Sequence, residues 1–539
     1  MPEVVQGAER RPLIAGRTLF DYADEVSTAV PASCQRTGRC RECVVEIKAG
    51  VEALSPRTAP EAYLPEGFRL ACQARVTDAD TDVEFGILRR RMRILGPSED
   101  VHTDIDPMVT VRDGIVHYGD MPVDRVKHMV LGLAVDIGTT TVVFQLIDLL
   151  TGKAVAGSAM ENPQRFGGSD VMARISFDRD RPGELRDALR RQLNHELRDI
   201  YARLGIDRSE VYEAVIVANT TMRDLFFGLD VTPIGESPYR SSTEHALREG
   251  RAATTTISML AHQVGLLVGP RARVIGAPLI SGHVGADISA DLVALDFGSK
   301  PGYSLLVDIG TNTEVVLTDG TRYIAASCPA GPAFEGGLIR FGMPGADGAI
   351  ERVRIPGGPG STIEYDTIGD EPPAGLCGSG LVDILAELRR SGWMDGQGRL
   401  RPGEDLVMVA PEKGITFSRS DASQLAQAKA ANACGQRILL RRMGITADQV
   451  DQVYLAGGFA NAINVKNAIA IGLLADVRPE RVIRAGNAAL RGAEALLLSK
   501  RRRAHLESIV SRIEHIELEM DPDFFDMFVD GCQLHPIAA

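Results

Sequence analysis

Apolar and polar positions follow two alternating periods along most of the chain, beginning at Leu131. Residues 131–136 (LGLAVD) are apolar at almost every position, which predicts a buried strand. Over residues 184–204, leucines recur at a near-helical spacing, which predicts a helix with one apolar face. Strands that alternate with such helices are typical of α/β layers. We therefore predict an α/β domain over residues 129–539.

The first 86 residues differ from the remainder of the chain. They contain short β-like runs at residues 43–47 and 70–76, and a helix-like stretch at residues 18–29 precedes both runs. This mixture predicts a separate small α+β domain over residues 1–86. Residues 87–128 carry a basic cluster and scattered turn residues, and we predict that they form a linker with room for a strand or a helix of its own.

An internal repeat is the most informative feature of the sequence. The segment 134–143 (AVDIGTTTVV) returns at residues 306–316 as LVDIGTNTEVV. The two copies lie too far apart for a solenoid repeat, but their separation suits two similar halves of one domain. We therefore predict a duplicated domain with halves at about residues 129–299 and 300–539.

Each copy of the repeat places Asp-Ile-Gly-Thr at the end of a predicted strand. Glycine permits a tight hairpin, and the backbone N–H and hydroxyl groups that follow can face a bound phosphate. The aspartate supplies a carboxylate for Mg²⁺. Two copies would hold one triphosphate from opposite sides, with Asp136 and Asp308 as the catalytic, metal-facing acids. The predicted phosphate-binding residues are Gly138, Thr139, Thr140, Thr141, Gly310, Thr311, Asn312 and Thr313.

A third motif lies further along the chain, at residues 453–460 (VYLAGGFA). This apolar run contains two glycines and resembles the adenosine motif of the superfamily that contains actin, the heat-shock chaperone ATPases and the sugar kinases. The resemblance implies that Gly457, Gly458 and Phe459 contact the nucleotide. Because three motifs in this order are far more specific than one, we predict an ATPase of this superfamily (ASKHA), with a duplicated actin-like (ribonuclease H-like) fold.

Four of the eight cysteines lie close together near the N-terminus. Cys34, Cys40 and Cys43 give the spacing C-x5-C-x2-C, and Cys72 follows after 28 intervening residues. Plant-type [2Fe-2S] ferredoxins use C-x4-C-x2-C with a distant fourth cysteine. The pattern therefore favours a [2Fe-2S] cluster held by these four cysteines. A structural zinc site with four cysteine ligands and a metal-free arrangement are the alternatives.

Composition and charge narrow the classes of partner. The chain of 539 residues carries a net charge of −13, whereas nucleic acids and anionic membrane surfaces attract clustered Lys and Arg. No apolar run approaches the roughly 20 residues that span a bilayer, and the first eleven residues lack the apolar segment of a signal peptide. We therefore expect a cytoplasmic protein with no nucleic-acid partner and no membrane partner.

Several short segments point to a narrower family. They occupy residues 161–171, 218–222, 285–287, 328–336, 376–380 and 486–490. Together with the cysteine cluster, these segments resemble the reductive activators of corrinoid proteins. The resemblance covers roughly residues 20–86 and 130–535, and the stretch between them is shorter than the middle region that family members often carry.

The resemblance implies both a fold and a reaction. The fold is a multidomain α+β and α/β arrangement: an N-terminal β-grasp, ferredoxin-like domain followed by the duplicated ATPase domain. The reaction is the ATP-dependent, one-electron reduction of cobalt from Co(II) to Co(I), with a [2Fe-2S] cluster, ATP and Mg²⁺ as cofactors. The implied partners are a corrinoid-binding protein of a cobalamin-dependent methyltransferase system and a low-potential electron donor, and the chain could form a homodimer.

Two other functions are consistent with parts of the sequence. In one, an iron–sulfur redox sensor controls ATP-gated binding of a partner in the manner of a chaperone. In the other, the chain is a sugar-kinase-type phosphotransferase, against which the ferredoxin-like module argues. The residue that activates the attacking water also stays open, because Asp287, Glu314 and Glu335 are all acids near motif loops.

Overall fold

The computed structural model describes residues 2–6, 9–25, 30, 36–38, 43–87, 105–401, 405–458 and 460–537. Among the predicted site residues, Cys34, Cys40 and Phe459 lie outside the described residues.

The N-terminal domain is a mixed sheet with a helix packed on it. The strands are β1 (Glu3–Gln6), β2 (Glu9–Pro12), β3 (Val44–Ala49), β4 (Phe68–Leu70) and β5 (Val83–Ile87), and the helix is α1 (Leu19–Glu25). In the described residues the strand order is β2-β1-β5-β3-β4, and β1 pairs in parallel with β5. Helix α1 buries Leu19, Phe20 and Tyr22 against this sheet because these apolar residues share one face. The arrangement is the predicted β-grasp fold.

The predicted strand over residues 70–76 is confirmed at Leu70 and wrong after it, except that Arg75 and Val76 form isolated bridges with Thr18 and Leu54. Strand β4 ends at Leu70, and Cys72 lies in a turn that the Gln73 N–H closes by donating to the Leu70 carbonyl at 2.8 Å. The Ala71 N–H donates to the Cys43 carbonyl at 2.7 Å and so fixes this turn beside Cys43. Apolar alternation continues through the turn because these side chains still face the domain core, which is why the pattern resembled a strand.

The segment 87–128, predicted as a linker, contains an antiparallel sheet of β6 (Val109–Arg112), β7 (Ile115–Tyr118) and β8 (Met121–Arg125). Asp113 and Gly114, both with positive φ, make the first turn. The Tyr118 hydroxyl donates to the buried carboxylate of Glu213 at 2.9 Å, and Arg503 donates to the same carboxylate. This small sheet is therefore attached to the domain that follows it.

The first half of the large domain is built on a sheet with helices beside it. Its strands are β9 (Leu131–Ile137), β10 (Thr141–Asp148), β11 (Ala154–Glu161), β12 (Val211–Ala218), β13 (Ile257–Leu260) and β14 (Arg273–Gly276). Its helices are α2 (Val171–Asp180), α3 (Glu184–Leu204), α4 (Thr220–Phe227), α5 (Ser242–Arg248), α6 (Ala261–Val264) and α7 (Ala286–Ala294). Strand β9 and helix α3 confirm the predicted strand and the predicted helix. Both form where they do because their apolar residues are buried, at most positions of the strand and along one face of the helix.

The second half contains a matching sheet and additional small elements. Its strands are β15 (Tyr303–Ile309), β16 (Thr313–Thr318), β17 (Tyr323–Cys328), β18 (Ala349–Arg354), β19 (Glu364–Thr367), β20 (Gly375–Leu376), β21 (Leu406–Ala410), β22 (Ile415–Ser418), β23 (Val450–Ala456), β24 (Val482–Gly486) and β25 (Ile513–His515). Its helices are α8 (Gly378–Arg390), α9 (Arg419–Met443), α10 (Val465–Ala470), α11 (Ala488–Leu498), α12 (Lys500–Val510) and α13 (Phe524–Gly531).

The two large sheets share the topology of five strands and differ in the sixth, β13 beside β14 in the first sheet and β25 beside β17 in the second. In the described residues their strand orders are β11-β10-β9-β12-β14-β13 and β24-β23-β15-β16-β17-β25. Each begins with an antiparallel meander of three strands, and a later strand, β12 or β23, pairs in parallel with the first strand of that meander. The repeated sequence occupies the first turn of each meander, so the predicted duplication is confirmed at the level of the fold.

Helices α7 and α11 join the two halves of the large domain. They cross so closely that a Cβ built on Gly492 of α11 would lie 2.1 Å from the Ala290 carbonyl oxygen of α7. Although α11 belongs to the second half in sequence, its apolar residues share a buried cluster with Ala134 and Val215 of the first sheet. The N-termini of both helices point to the space between the halves, where the repeated loops also lie.

Candidate functional site

A cavity of about 280 Å³ lies between the two halves. Both repeated loops and the double glycine line it, and together they contribute every predicted nucleotide-site residue that the structure describes, except Thr313. These lining residues are Asp136, Gly138, Thr139, Thr140, Thr141, Asp308, Gly310, Thr311, Asn312, Gly457 and Gly458. Thr313 is buried in strand β16 directly behind the second loop.

The repeated loops are tight hairpins between the first two strands of each meander. In the first, the Gly138 N–H donates to the Thr141 carbonyl at 2.9 Å, and in the second the Gly310 N–H donates to the Asn312 carbonyl at 3.0 Å. Such hairpins direct hydroxyl and backbone N–H groups outward from the strand ends. The two loops thus present hydroxyl and N–H groups from both halves to one cavity.

Three polar side chains hold the first loop in place. The amide of Asn162 donates to the Gly138 carbonyl at 2.8 Å, and the amide of Asn219 donates to the Thr139 hydroxyl at 3.1 Å. The buried guanidinium of Arg174 donates to the Thr139 carbonyl at 2.7 Å, and burial lowers its pKa to about 10. Asn162 and Asn219 belong to the segments singled out by resemblance, whereas Arg174 was missed because nothing in its local sequence marks it.

Buried carboxyl groups cluster on one side of the cavity. Burial, followed by repulsion from Asp308, raises the pKa of Asp136 to about 7, and the Asn487 amide donates to this carboxylate at 2.9 Å. Burial and then Asp308 raise the pKa of Asp287 to about 8. Burial also raises the pKa of Asp308. Carboxylates that lie this close together are costly as anions without a neighbouring cation, and oxygen ligands suit hard divalent cations.

Sequence reasoning missed one member of this cluster, Asp291. It lies one helical turn beyond Asp287 on α7, is fully buried, and neighbours Asp308. Burial and Asp308 raise the pKa of Asp291 well above its usual range. The signal was present in the sequence, because two acids four residues apart on a helix share a face.

The three candidate water-activating acids line the cavity from different elements of the fold. Asp287 lies in the first turn of α7, and Glu314 lies on β16 directly opposite Asp308, where the Ser327 hydroxyl donates to it at 3.1 Å. Glu335 accepts hydrogen bonds from Thr140 at 2.8 Å and from Thr311. All three acids line the cavity, so their distance from it does not single out one of them. They differ in the groups that hydrogen-bond to them.

The double glycine follows strand β23. Gly457 has a φ of +108°, and a Cβ built on it would lie 2.2 Å from the Ile309 carbonyl oxygen and 3.0 Å from an Asp308 carboxylate oxygen. Only glycine permits this close approach of β23 to the second loop. A Cβ on Gly458 would meet nothing within 4 Å.

The described part of the cysteine cluster brings two of the four predicted ligands together. The sulfurs of Cys43 and Cys72 lie 3.3 Å apart, and both side chains are buried. This distance exceeds the roughly 2.05 Å of a disulfide bond and is close to the roughly 3.8 Å expected for two thiolates on one tetrahedral ion. The Gln73 amide donates to the Cys72 sulfur at 3.4 Å. The pair therefore fits one side of a metal cluster.

The loop that supports the first hairpin also contacts the N-terminal domain. Arg165 lies between Glu161 of strand β11 and Glu46 of strand β3, at 2.8 and 3.0 Å. The rings of Tyr63 and Phe166 meet edge to face at 5.9 Å. Strand β3 begins directly after Cys43, so one continuous set of contacts leads from the cysteine pair to the nucleotide-loop support.

Comparisons with known proteins agree with this architecture. Family models match residues 5–77 (2Fe-2S iron-sulfur cluster binding domain), 131–300 (RACo middle region) and 302–538 (C-terminal domain of RACo, the ASKHA domain). The corrinoid activation enzyme RamQ of Eubacterium limosum is 32% identical over 436 residues, which cover 76% of this chain and 71% of RamQ. The chain belongs to the family of corrinoid activation enzymes.

Two further relatives are similar to this chain over most of their length. The [Co(II) methylated amine-specific corrinoid protein] reductase of Methanosarcina barkeri is 25% identical over 428 residues, or 75% of this chain and 76% of that protein. The solved structure of a reductive activator for corrinoid,iron-sulfur protein superposes with a TM-score of 0.72 at 27% identity and covers 99% of both chains. This corrinoid activation enzyme therefore contains an iron–sulfur cluster domain and an ATP-binding domain of the ASKHA type.

The comparisons also place the middle region of the family. Its model matches residues 131–300, which the sequence assigned to the first half of the ATPase domain, so the expectation of a shortened middle region before that domain is wrong. Across the described residues, every helix is too short or too polar to span a bilayer.

Proposed function

We propose that this chain carries out the ATP-dependent, one-electron reduction of cobalt from Co(II) to Co(I) on a corrinoid-binding protein. One observation carries the proposal: a cluster-binding domain and a cleft with two facing Asp-Ile-Gly-Thr loops occur on one chain of the corrinoid activation family. When bound, the [2Fe-2S] cluster supplies one-electron transfer from a low-potential donor. The chain's own residues bind the nucleotide and set the positions of the domains.

In this proposal the facing loops hold the phosphates of ATP. Thr139, Thr140 and Thr311 bring hydroxyl groups to the cavity, and Arg174 and Asn162 keep the first loop rigid. Gly457 and Gly458, with Phe459, contact the adenosine. The narrow approach at Gly457 sets the distance between strand β23 and the second loop.

Asp136 and Asp308 hold Mg²⁺ in this proposal. Burial raises the pKa of both carboxyl groups, so their anionic forms are costly without a cation. Mg²⁺ retains several water molecules and is bound by one or two carboxylates together with substrate phosphates. The paired acids at the strand ends are consistent with that coordination.

Cys34, Cys40, Cys43 and Cys72 hold the [2Fe-2S] cluster in this proposal. The 3.3 Å approach of the Cys43 and Cys72 sulfurs supports the assignment of these two to one iron. The Gln73 amide at the Cys72 sulfur is the kind of donor that tunes the reduction potential of such a cluster.

The energy that ATP must supply is of an ordinary size. Moving one electron against a deficit of 100 mV costs about 2.3 kcal/mol. Shifting a two-state equilibrium from 1:99 to 99:1 requires about 5.5 kcal/mol. A nucleotide-linked change in the relation of the two halves is therefore sufficient to offset a deficit on the order of 200 mV.

The test is anaerobic reduction of a purified corrinoid protein, followed by its visible absorption. With a low-potential donor and MgATP, the wild type should form Co(I), and Cys72→Ser should not. A redox sensor would bind the corrinoid protein without reducing its cobalt, and a phosphotransferase would transfer phosphate to a small acceptor with the cluster absent. Either result would overturn the proposal.

A further inference from the structure

Glu335 connects the two phosphate loops directly. It ends a short 3-10 turn, Pro332–Glu335, in the second half. One of its carboxylate oxygens accepts a hydrogen bond from the Thr140 hydroxyl at 2.8 Å and another from the Thr311 hydroxyl. Thr140 belongs to the first half and Thr311 to the second, so one side chain bridges the two halves at the cavity.

These threonines are two of the groups that the proposed function assigns to phosphate. A hydroxyl group has one proton to donate. The proton that Thr140 gives to Glu335 is therefore not given to a phosphate oxygen at the same time. In addition, a carboxylate and a phosphate that share these two hydroxyl groups would repel each other, because both are anions.

We propose that Glu335 is a positioning residue that ties the two phosphate loops together and must release Thr140 and Thr311 for nucleotide phosphates to bind. The inference rests on the proposed nucleotide site and adds to it a competition between an internal anion and the ligand. Glu335 is then neither a metal ligand nor the activator of the attacking water.

Release of Glu335 would be conveyed to another wall of the cavity. A Cβ built on the next residue, Gly336, would lie 2.4 Å from the Met343 backbone nitrogen, so the loop between them is closed on itself. The Met343 N–H in turn donates to the Leu376 carbonyl at 2.9 Å, directly before Cys377. Met343 and Cys377 line the same cavity as the phosphate loops. A movement of the backbone at Glu335 would therefore reach Met343 as well.

The experiment measures ADP affinity by calorimetry on the full chain with its cluster, first in EDTA and then with Mg²⁺. In EDTA, Glu335→Ala should bind ADP roughly five- to tenfold more tightly than the wild type, because the internal competitor is gone. Glu335→Gln retains the size but not the charge and should give a smaller gain. Glu371→Gln removes the same charge from an exposed position of the same half and should leave the affinity unchanged.

Two results would overturn the proposal. Unchanged or weaker ADP binding by both Glu335 variants in EDTA would overturn the competition. A loss of affinity that occurs only with Mg²⁺ would assign Glu335 to the metal instead and would also overturn it. If the wild type bound no adenine nucleotide, the proposed function itself would fail, which separates the two claims. A merely structural role for Glu335 cannot produce tighter binding.

Discussion

Two neighbouring glycines at the end of β23 differ in what they allow. Gly457 has positive φ and leaves no space for a Cβ between β23 and the carbonyl of Ile309, whereas Gly458 faces open space. We expect Gly457→Ala to lower the free energy of unfolding by about 1–3 kcal/mol, the usual cost of forcing atoms into a packed region. Chemical denaturation measures this difference. Gly458→Ala is the matched control and should unfold like the wild type. Equal stability of the two variants would contradict the close approach described for Gly457.

The buried acids make the stability of the metal-free protein depend on pH. The pKa of Asp136 is about 7 in the folded chain and about 3.9 in an unfolded one. The folded state therefore holds its proton more tightly, and the contribution of Asp136 to stability falls as pH rises from about 4 to about 7. Above that window the buried anion destabilises the fold.

We therefore expect Asp136→Asn, measured in EDTA, to become more stable relative to the wild type as pH rises from 5 to 8. At pH 8 the gain should be on the order of 2 kcal/mol. Asparagine retains a carbonyl oxygen that can accept the hydrogen bond from Asn487, so that contact is preserved. Urea unfolding at the two pH values measures the difference. A gain that is equal at both would show that Asp136 is already ionised at pH 5.

At this scale the sequence predicted most of the candidate site. The repeat led to Asp136 and Asp308, which both line the cavity, because a strand–hairpin motif fixes its residues by local geometry. Their role as metal-facing acids stays a prediction. The repeat did not predict Arg174, whose guanidinium contacts the first loop although Arg174 lies 35 positions after Thr139 in the chain. Such partners depend on tertiary packing and leave no local pattern in one sequence.

Among the elements, helices α7 and α11 matter most for the architecture, because their crossing joins the two halves of the large domain next to the buried acids. Substitution of glycine by alanine within a helix normally stabilises by up to about 1 kcal/mol. At Gly492 we expect the reverse, a loss of about 1–3 kcal/mol, because the Cβ would meet the Ala290 carbonyl at 2.1 Å. Thermal unfolding of Gly492→Ala measures this effect. An increase in the unfolding temperature would show that the helices are further apart than described.

Helices and strands were predicted well where their apolar residues follow one clear period. They were predicted poorly where short turns define the element. Helix α3 has the predicted bounds because its leucine spacing is unambiguous. The three strands over residues 109–125 were not assigned, although Asp113-Gly114 is a strong hairpin signal. The strands are only four or five residues long, so their apolar pattern is weak, and they gain stability from contacts such as Tyr118 with Glu213.

For the molecule as a whole, the contact between the cluster domain and the first half is the feature that no single motif predicts. Arg165 and Glu46 form its ion pair, and both are partly exposed. Exposed pairs contribute about 0.2–1 kcal/mol. We expect Arg165→Glu alone to loosen the contact. The exchange of both charges, with Glu46→Arg, should restore it only in part, because the carboxylate then at position 165 still lies beside Glu161.

Hydrogen exchange of the peptide that contains Tyr63 measures this contact, because Tyr63 packs on Phe166 at the interface. Exchange should be faster in Arg165→Glu and return towards the wild-type rate in the charge-swapped variant. Arg179→Glu, an exposed position on the neighbouring helix, is the control. If the double variant exchanges as fast as the single one, the ion pair does not hold the domains together.

The central claim is that nucleotide energy drives an electron uphill from this chain to cobalt. Its most direct measurement is the equilibrium yield of Co(I) on the corrinoid protein at a fixed, low donor potential, read by visible absorption with ATP, ADP or no nucleotide. We predict a high yield of Co(I) for the wild type with MgATP, and a low yield with ADP or without nucleotide. With MgATP, Asp308→Asn and Cys43→Ser should give only the yield that the wild type gives without nucleotide. An equal yield with ADP, or without any nucleotide, would contradict the account.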